Sequence, residues 1–162
     1  DIRAALMGVV SKYDEDLGRN SEFVDKIVAK SDGLPLYLKL LLRELKISKD
    51  VDDQLALGVV DKLPAGIEDL YGQKISELKG KPPFVLAALY IFGAARGGLG
   101  QKQLQIILDL EEQQTEEIID ELQEFLTLFA SRKYLIFHES FRDYLEHYAG
   151  DNLMSAREKL AA

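Results

Sequence analysis

The two histidines, His138 and His147, are the first residues to consider, because imidazole titrates near neutral pH and is a common metal ligand. They lie nine positions apart, and the chain of 162 residues contains no Cys. The sequence also lacks a Walker A loop, a dinucleotide-binding glycine pattern, a G-x-S-x-G nucleophile motif and an H-E-x-x-H zinc motif. We therefore predict no catalytic centre and no metal site in this chain.

His138 is the stronger candidate for a binding role. It ends a run of strand-forming residues and precedes a helix that we expect Ser140 and Asp143 to cap. An imidazole in this position lies near the positive end of a helix dipole and near free backbone amides, which suits an anion such as phosphate. The alternative to anion binding is a purely structural role, in which His138 packs at the strand end or forms a hydrogen bond with a nearby carbonyl.

A second feature is the segment Gly33-Leu34-Pro35-Leu36. Gly33 predicts the end of one helix, and Pro35 predicts the first turn of the next. The structural interpretation is a tight corner between two helices. The functional interpretation is a rigid corner that holds Pro35 and its neighbours against the flat apolar face of a ligand.

Helices must position most of these residues, because apolar side chains recur at helical spacing along nearly the whole chain. The pattern predicts helices over 23–28, 34–45, 67–78, 100–110, 115–126 and 141–148. It also predicts a central core helix that starts after Pro82 and Pro83, runs from Phe84 and is ended by the glycine pair 97–98. Two runs of strand formers, 126–130 and 134–137, are separated by Ser131-Arg132-Lys133 and predict a β-hairpin. The expected fold is mainly α: a helical-bundle subdomain followed by a winged helix with a small β-hairpin.

A break in the helical pattern divides the chain. The stretch 47–61 is polar, and Leu-Pro-Ala-Gly at 63–66 reads as a connection between subdomains. We expect a helical subdomain over 1–62, a winged helix over 63–150 and a helical tail over 151–162. Because the chain opens without Met and without a secretory signal, we expect it to be a segment of a longer protein.

Composition limits the class of partner. Lys and Arg number 20 against 28 Asp and Glu, which gives a formal net charge of −8, and 47% of the residues are hydrophobic. Mixed charges on an apolar-rich chain predict a folded, soluble protein, and no apolar run reaches the about 20 residues that a membrane span needs. The absence of Cys suits a reducing compartment. We expect a cytoplasmic location and no membrane partner.

A winged helix raises the question of DNA binding, in which its third helix enters the major groove. The segment 109–124 contains eight acidic residues and no basic residue. Phosphates would repel such a surface, and Arg132 and Lys133 at the hairpin tip are too few to reverse the repulsion. The charges therefore predict no nucleic-acid partner.

In order and spacing, these features resemble the region that follows the nucleotide-binding domain in STAND-class P-loop NTPases, the NB-ARC and NACHT families. The segment 33–36 resembles the GLPL motif of their first helical subdomain, and the segment 63–71 (LPAGIEDLY) is similar to the opening of their winged helix. The segment 137–145 (FHESFRDYL) is similar to the one that carries their Met-His-Asp motif. Phe137 stands in place of the Met, and Glu139 stands in place of the Asp.

The resemblance implies a regulatory module that is not itself an enzyme. In the family, the winged helix folds over ADP bound to the upstream P-loop domain and holds the switch off, and exchange for ATP releases it. On this basis His138 contacts the β-phosphate. Pro35 lies against the base or sugar, flanked by Gly33, Leu34 and Leu36. ADP or ATP belongs to the parent protein, and we expect negligible ADP affinity in this segment alone.

The resemblance also implies partners. They are the upstream nucleotide-binding domain of the same chain, a downstream repeat or effector domain, and further copies of the parent protein on activation. The alternative function is an acidic protein-interaction adaptor, whose face over 109–124 binds a basic partner without regard to nucleotide. A DNA-binding regulator is a third hypothesis, and the charge of the same segment weighs against it.

Overall fold

A computed structural model of the chain describes residues 4, 7–8, 10–11, 19–31, 37, 53–62, 65–129 and 132–162. Over these residues the chain is mainly helical, with eight helices and one two-stranded antiparallel sheet. The coarse fold class expected from the sequence, mainly α with a small β-hairpin, is therefore confirmed. The chain divides into two compact units, Asp1–Gln73 and Lys74–Ala162. The domain limits 1–62, 63–150 and 151–162 stay predictions.

Within the described ranges, two helices with defined limits and the start of a third lie in the N-terminal unit. They are α1 (Ser21–Ser31), α2 (Asp53–Lys62) and α3 (Ile67–Leu78), the last of which ends in the C-terminal unit. The Asn20 side chain accepts a hydrogen bond of 3.1 Å from the Phe23 amide at the start of α1, as expected of a helix cap. Helix α1 packs against α2, and the Lys26 ammonium lies 2.9 Å from the Asp61 carboxylate between them. Hydrogen bonding to Asp61 raises the pKa of Lys26.

Helix α2 was not predicted, because it lies in the stretch 47–61 that reads as polar. Leu57 and Val60 are buried, and two apolar residues three positions apart are enough to give a short helix one packed face. Of the predicted helix over 34–45 the structure describes only Tyr37, which is helical and buried. The corner at 33–36 lies outside the described residues. At the predicted break, Gly66 has a φ of 84°, a conformation that glycine adopts without steric cost.

The C-terminal unit is built around α4 (Pro83–Ala94). Pro83 occupies its first turn, where the missing amide hydrogen costs nothing. Six of its twelve residues are buried, and it packs against the two helices that follow the hairpin, against the two that precede it and against the hairpin itself. The prediction of a central core helix led by proline is confirmed. The other elements of the unit are α5 (Gln101–Leu108), α6 (Glu112–Glu121), β1 (Leu126–Phe129), β2 (Lys133–Ile136), α7 (Glu139–Tyr148) and α8 (Gly150–Ala161).

The hairpin is antiparallel, as predicted. Leu126 pairs with Ile136 at its base, and Phe129 pairs with Lys133 near its tip. On the other side of β2, Leu99 forms an isolated antiparallel bridge with Tyr134, with amide-to-carbonyl distances of 3.0 and 2.9 Å. A single residue of the α4–α5 connection thus extends the sheet beyond its two strands.

The predicted limits of two helices are wrong. Helix α4 ends at Ala94 and not at the glycine pair 97–98. Gly98 instead allows the backbone to pass close to β2, because a Cβ at this position would lie 2.8 Å from the Lys133 Cβ. Helix α6 spans Glu112–Glu121 and not 115–126. It starts early because the Gln114 side chain accepts a hydrogen bond from the Glu111 amide, and it ends early because the chain must extend into β1.

No helix in the described ranges is long and apolar enough to cross a membrane.

Candidate functional site: the histidine at the start of α7

His138 is the residue that caps α7. Its Nδ1 accepts a hydrogen bond of 3.1 Å from the Ser140 amide, and the Ser140 hydroxyl lies 2.9 Å from the same nitrogen. The prediction that Ser140 and Asp143 cap this helix is therefore wrong. The helix begins at Glu139, two residues before the predicted start at Phe141, because the extended backbone of His138 (φ −151°, ψ 142°) directs its ring onto the first turn.

The cap fixes the chemistry that a neutral His138 can offer. An amide can only donate, so Nδ1 acts as the acceptor and a neutral ring carries its proton on Nε2. The residue is exposed. His138 can therefore donate one Nε2–H hydrogen bond to an anion while its other nitrogen holds the helix start.

The backbone amides of the first turn are less available than the sequence analysis expected. The imidazole occupies the Ser140 amide, and the His138 carbonyl accepts from the Phe141 and Arg142 amides at 3.2 and 3.4 Å. An anion at this helix start would meet the imidazole and the helix dipole. It would not meet the cradle of several amides that is typical of a phosphate loop.

An aromatic cluster beneath His138 holds the strand-to-helix connection. The rings of Phe125 and Phe141 stack with centroids 4.7 Å apart, and the Phe137 centroid lies 6.0 Å from that of Phe141. The Phe137 amide also donates to the Phe125 carbonyl at 2.9 Å. The position of His138 is thus determined by a packed aromatic core on one side and by the helix on the other.

Glu139 does not bind His138 directly in this arrangement. Its carboxylate pairs with the Arg142 guanidinium at 2.8 Å, and the Arg142 Nε is buried without a hydrogen-bond partner. Pairing with Arg142 offsets the negative charge that Glu139 would otherwise present to an anion beside His138.

The exposed His147 has a different role, because its Nδ1 lies 2.9 Å from the Asp143 carbonyl within the same helix.

The remaining predicted site residues, Gly33, Leu34, Pro35 and Leu36, lie outside the described residues. Their contacts with a nucleotide stay predictions. Within the described part of the chain, no three residues among His, Asp and Glu are grouped so that they could hold a metal ion.

Comparison of the chain with protein-family models, with curated proteins and with solved structures finds no match. The family resemblance therefore rests on the motifs and their order alone.

Replacing His138 with Ala is expected to lower the free energy of unfolding by about 1 kcal/mol, because the Ser140 amide loses its cap. His138→Asn should recover most of that loss, since Asn is a strong N-cap residue. Urea unfolding followed by circular dichroism measures both. His147→Ala is the matched control, and equal losses for His138→Ala and His147→Ala would contradict the capping role.

Proposed function

We propose that the chain is the helical and winged-helix region of a STAND-class P-loop NTPase, and that it acts as a regulatory module which senses ADP. In this proposal it closes over nucleotide bound to an upstream P-loop domain. The observation that carries the proposal is the place of His138, an exposed imidazole anchored through Nδ1 where the hairpin meets α7. That is the position at which the resembled family carries the histidine of its Met-His-Asp motif.

The order of elements in the C-terminal unit supports a winged helix. Helices α4, α5 and α6 precede the hairpin of β1 and β2, and α7 follows it. The bridge between Leu99 and Tyr134 places a residue from the α4–α5 connection beside β2, as a short first strand of a three-stranded wing would lie. A three-helix unit closed by such a sheet is the architecture that the resemblance requires.

The geometry of His138 fits one phosphate contact. A hydrogen bond from Nε2–H to an anionic oxygen, strengthened by the N-terminal end of the α7 dipole, contributes about 1.5–3 kcal/mol. Because the Ser140, Phe141 and Arg142 amides are occupied, the imidazole is the main contact that the chain offers, and it is not a complete phosphate site. The upstream domain must supply the rest, which explains why we expect negligible ADP affinity in this segment alone.

Retention of ADP by the full-length protein tests the proposal. His138→Ala should raise the rate of ADP release by about tenfold or more, since about 1.4 kcal/mol corresponds to a tenfold change. His147→Ala is the matched control and should leave the rate unchanged. Unchanged ADP release in His138→Ala would contradict the assigned role. A parent protein without a Walker A loop upstream of Asp1 would contradict the whole proposal.

The second candidate function is the acidic adaptor. Glu112, Glu116, Glu117 and Asp120 are all exposed on α6, and such a face suits a basic partner. This function would be sensitive to salt and indifferent to nucleotide, so ADP retention distinguishes the two candidates.

A further inference from the structure

A groove of about 410 Å³ lies between α4 and α8, wholly within the C-terminal unit. Its apolar wall is formed mainly by Leu86, Ala87 and Ile91 of α4, together with Ala156 of α8. The groove follows α4 from Pro83 to Ile91, a length of about 12 Å at 1.5 Å per residue. It is separate from His138, which does not line it.

Tight packing closes one end of this groove. A Cβ on Gly93 would lie 3.0 Å from the Leu145 side chain and 3.1 Å from that of Leu153, so the start of α8 lies against the end of α4. Tyr90 and Asn152 line the groove near this contact in sequence, and Pro83 from the start of α4 and Lys159 from the last turn of α8 line it as well.

Three lysines, Lys79, Lys81 and Lys159, line the same groove, although the chain carries a formal net charge of −8. Only Lys81 has a carboxylate partner among them within the described ranges, the Glu121 side chain at 2.9 Å. The Lys79 ammonium lies 5.6 Å from the centre of the Tyr148 ring. Lys159 thus lines an apolar groove without a carboxylate partner in the described ranges, in a chain of net negative charge.

We propose that this groove binds a small anionic amphiphile, namely a monocarboxylate with an alkyl body. The alkyl body would lie along the α4 wall, because transfer of its apolar surface from water to an apolar wall is favourable. The carboxylate would lie beside Lys159, whose ammonium can approach it as a point charge. A volume of about 410 Å³ lies within the range of small-molecule sites, about 300–1,000 Å³.

Decanoate is the probe, titrated into the complete 162-residue chain and followed by amide shifts in nuclear magnetic resonance spectra. We expect saturable binding, with shifts concentrated on α4 and α8. Decyltrimethylammonium has an alkyl chain only one methylene longer and the opposite charge, and it should bind about tenfold more weakly or worse. That pair of probes separates charge recognition from general adsorption of alkyl chains.

Lys159→Glu should weaken decanoate binding by about tenfold, because it replaces an attraction with a repulsion. Lys102→Glu is the matched control, since Lys102 is exposed on α5 and does not line the groove. Ala87→Phe fills the apolar wall and should abolish the shifts, and the spectrum of the free variant reports whether it remains folded.

Three results would overturn the proposal. They are decanoate shifts that do not saturate, equal affinity for the two probes, and equal effects of Lys159→Glu and Lys102→Glu. Because none of these measurements involves nucleotide or His138, their failure leaves the proposed regulatory function untouched.

Discussion

Replacing Phe141 with Ala is expected to lower the free energy of unfolding of the C-terminal unit by about 3–5 kcal/mol. Phe141 is 0% exposed, and its ring stacks on that of Phe125 at 4.7 Å. Truncation removes the buried ring and leaves a cavity that the surrounding side chains can only partly fill. The aromatic stacking, which contributes about 0.5–1.5 kcal/mol beyond area burial, is lost as well.

Urea unfolding of the complete chain measures this loss, and Phe129→Ala is the matched control. Phe129 undergoes the same chemical change, but it lies at the end of β1 and is 59% exposed. Its replacement should cost less than about 0.5 kcal/mol, as is usual for surface positions. If Phe141→Ala and Phe129→Ala destabilise the chain equally, Phe141 does not occupy a packed core position.

The helices with a clear apolar face were predictable from the sequence. The pattern over 67–78 predicts α3 with the limits that the structure shows, Ile67–Leu78. Helix α2 was not predictable in the same way, because Leu57 and Val60, which are described as buried on it, lie in a stretch that the sequence analysis takes as polar. A helical pattern becomes recognisable in a sequence only when apolar residues recur at helical spacing over several turns.

The place of His138 between hairpin and helix was also predictable, whereas its role as the cap was not. Ser is a more common capping residue than His, so the sequence favours Ser140. Which of the two residues caps the helix depends on the backbone angles of His138, and a sequence pattern does not determine these angles. The groove between α4 and α8 gives a second example. Pro83 and Lys159 line it together although they are far apart in sequence, so no local pattern brings them into one site.

Replacing Glu124 with Gln is expected to lower the free energy of unfolding by about 2–4 kcal/mol. The Lys74 ammonium lies 3.3 Å from the Glu124 carboxylate and 3.6 Å from that of Glu77. The Lys74 side chain is only 8% exposed, whereas Glu77 is 53% exposed. Loss of the Glu124 charge would therefore leave a buried ammonium beside a second carboxylate, Glu77, that is largely solvated. We place the loss below the full penalty of a deeply buried pair because Glu124 itself is 19% exposed.

A double-mutant cycle separates the ion pair from the packing of its side chains. Lys74→Met keeps most of the aliphatic volume, and Lys74→Met/Glu124→Gln removes both charges. If the cost of Glu124→Gln comes from stranding the ammonium, the double variant should be more stable than Glu124→Gln alone, because no buried charge remains. A purely steric role for Glu124 would make the two losses add.

The exposed pair of Arg157 and Glu146 provides the control. Its atoms are closer, at 2.6 Å, but its side chains are 50% and 45% exposed. Solvent screening limits such a pair to about 0–1 kcal/mol, so Glu146→Gln should cost much less than Glu124→Gln despite the shorter distance. Added salt should reduce the small effect at Glu146 and leave most of the effect at Glu124, since buried charges are screened far less. Equal losses at the two positions would mean that burial of Lys74 does not set the strength of its pairing with Glu124.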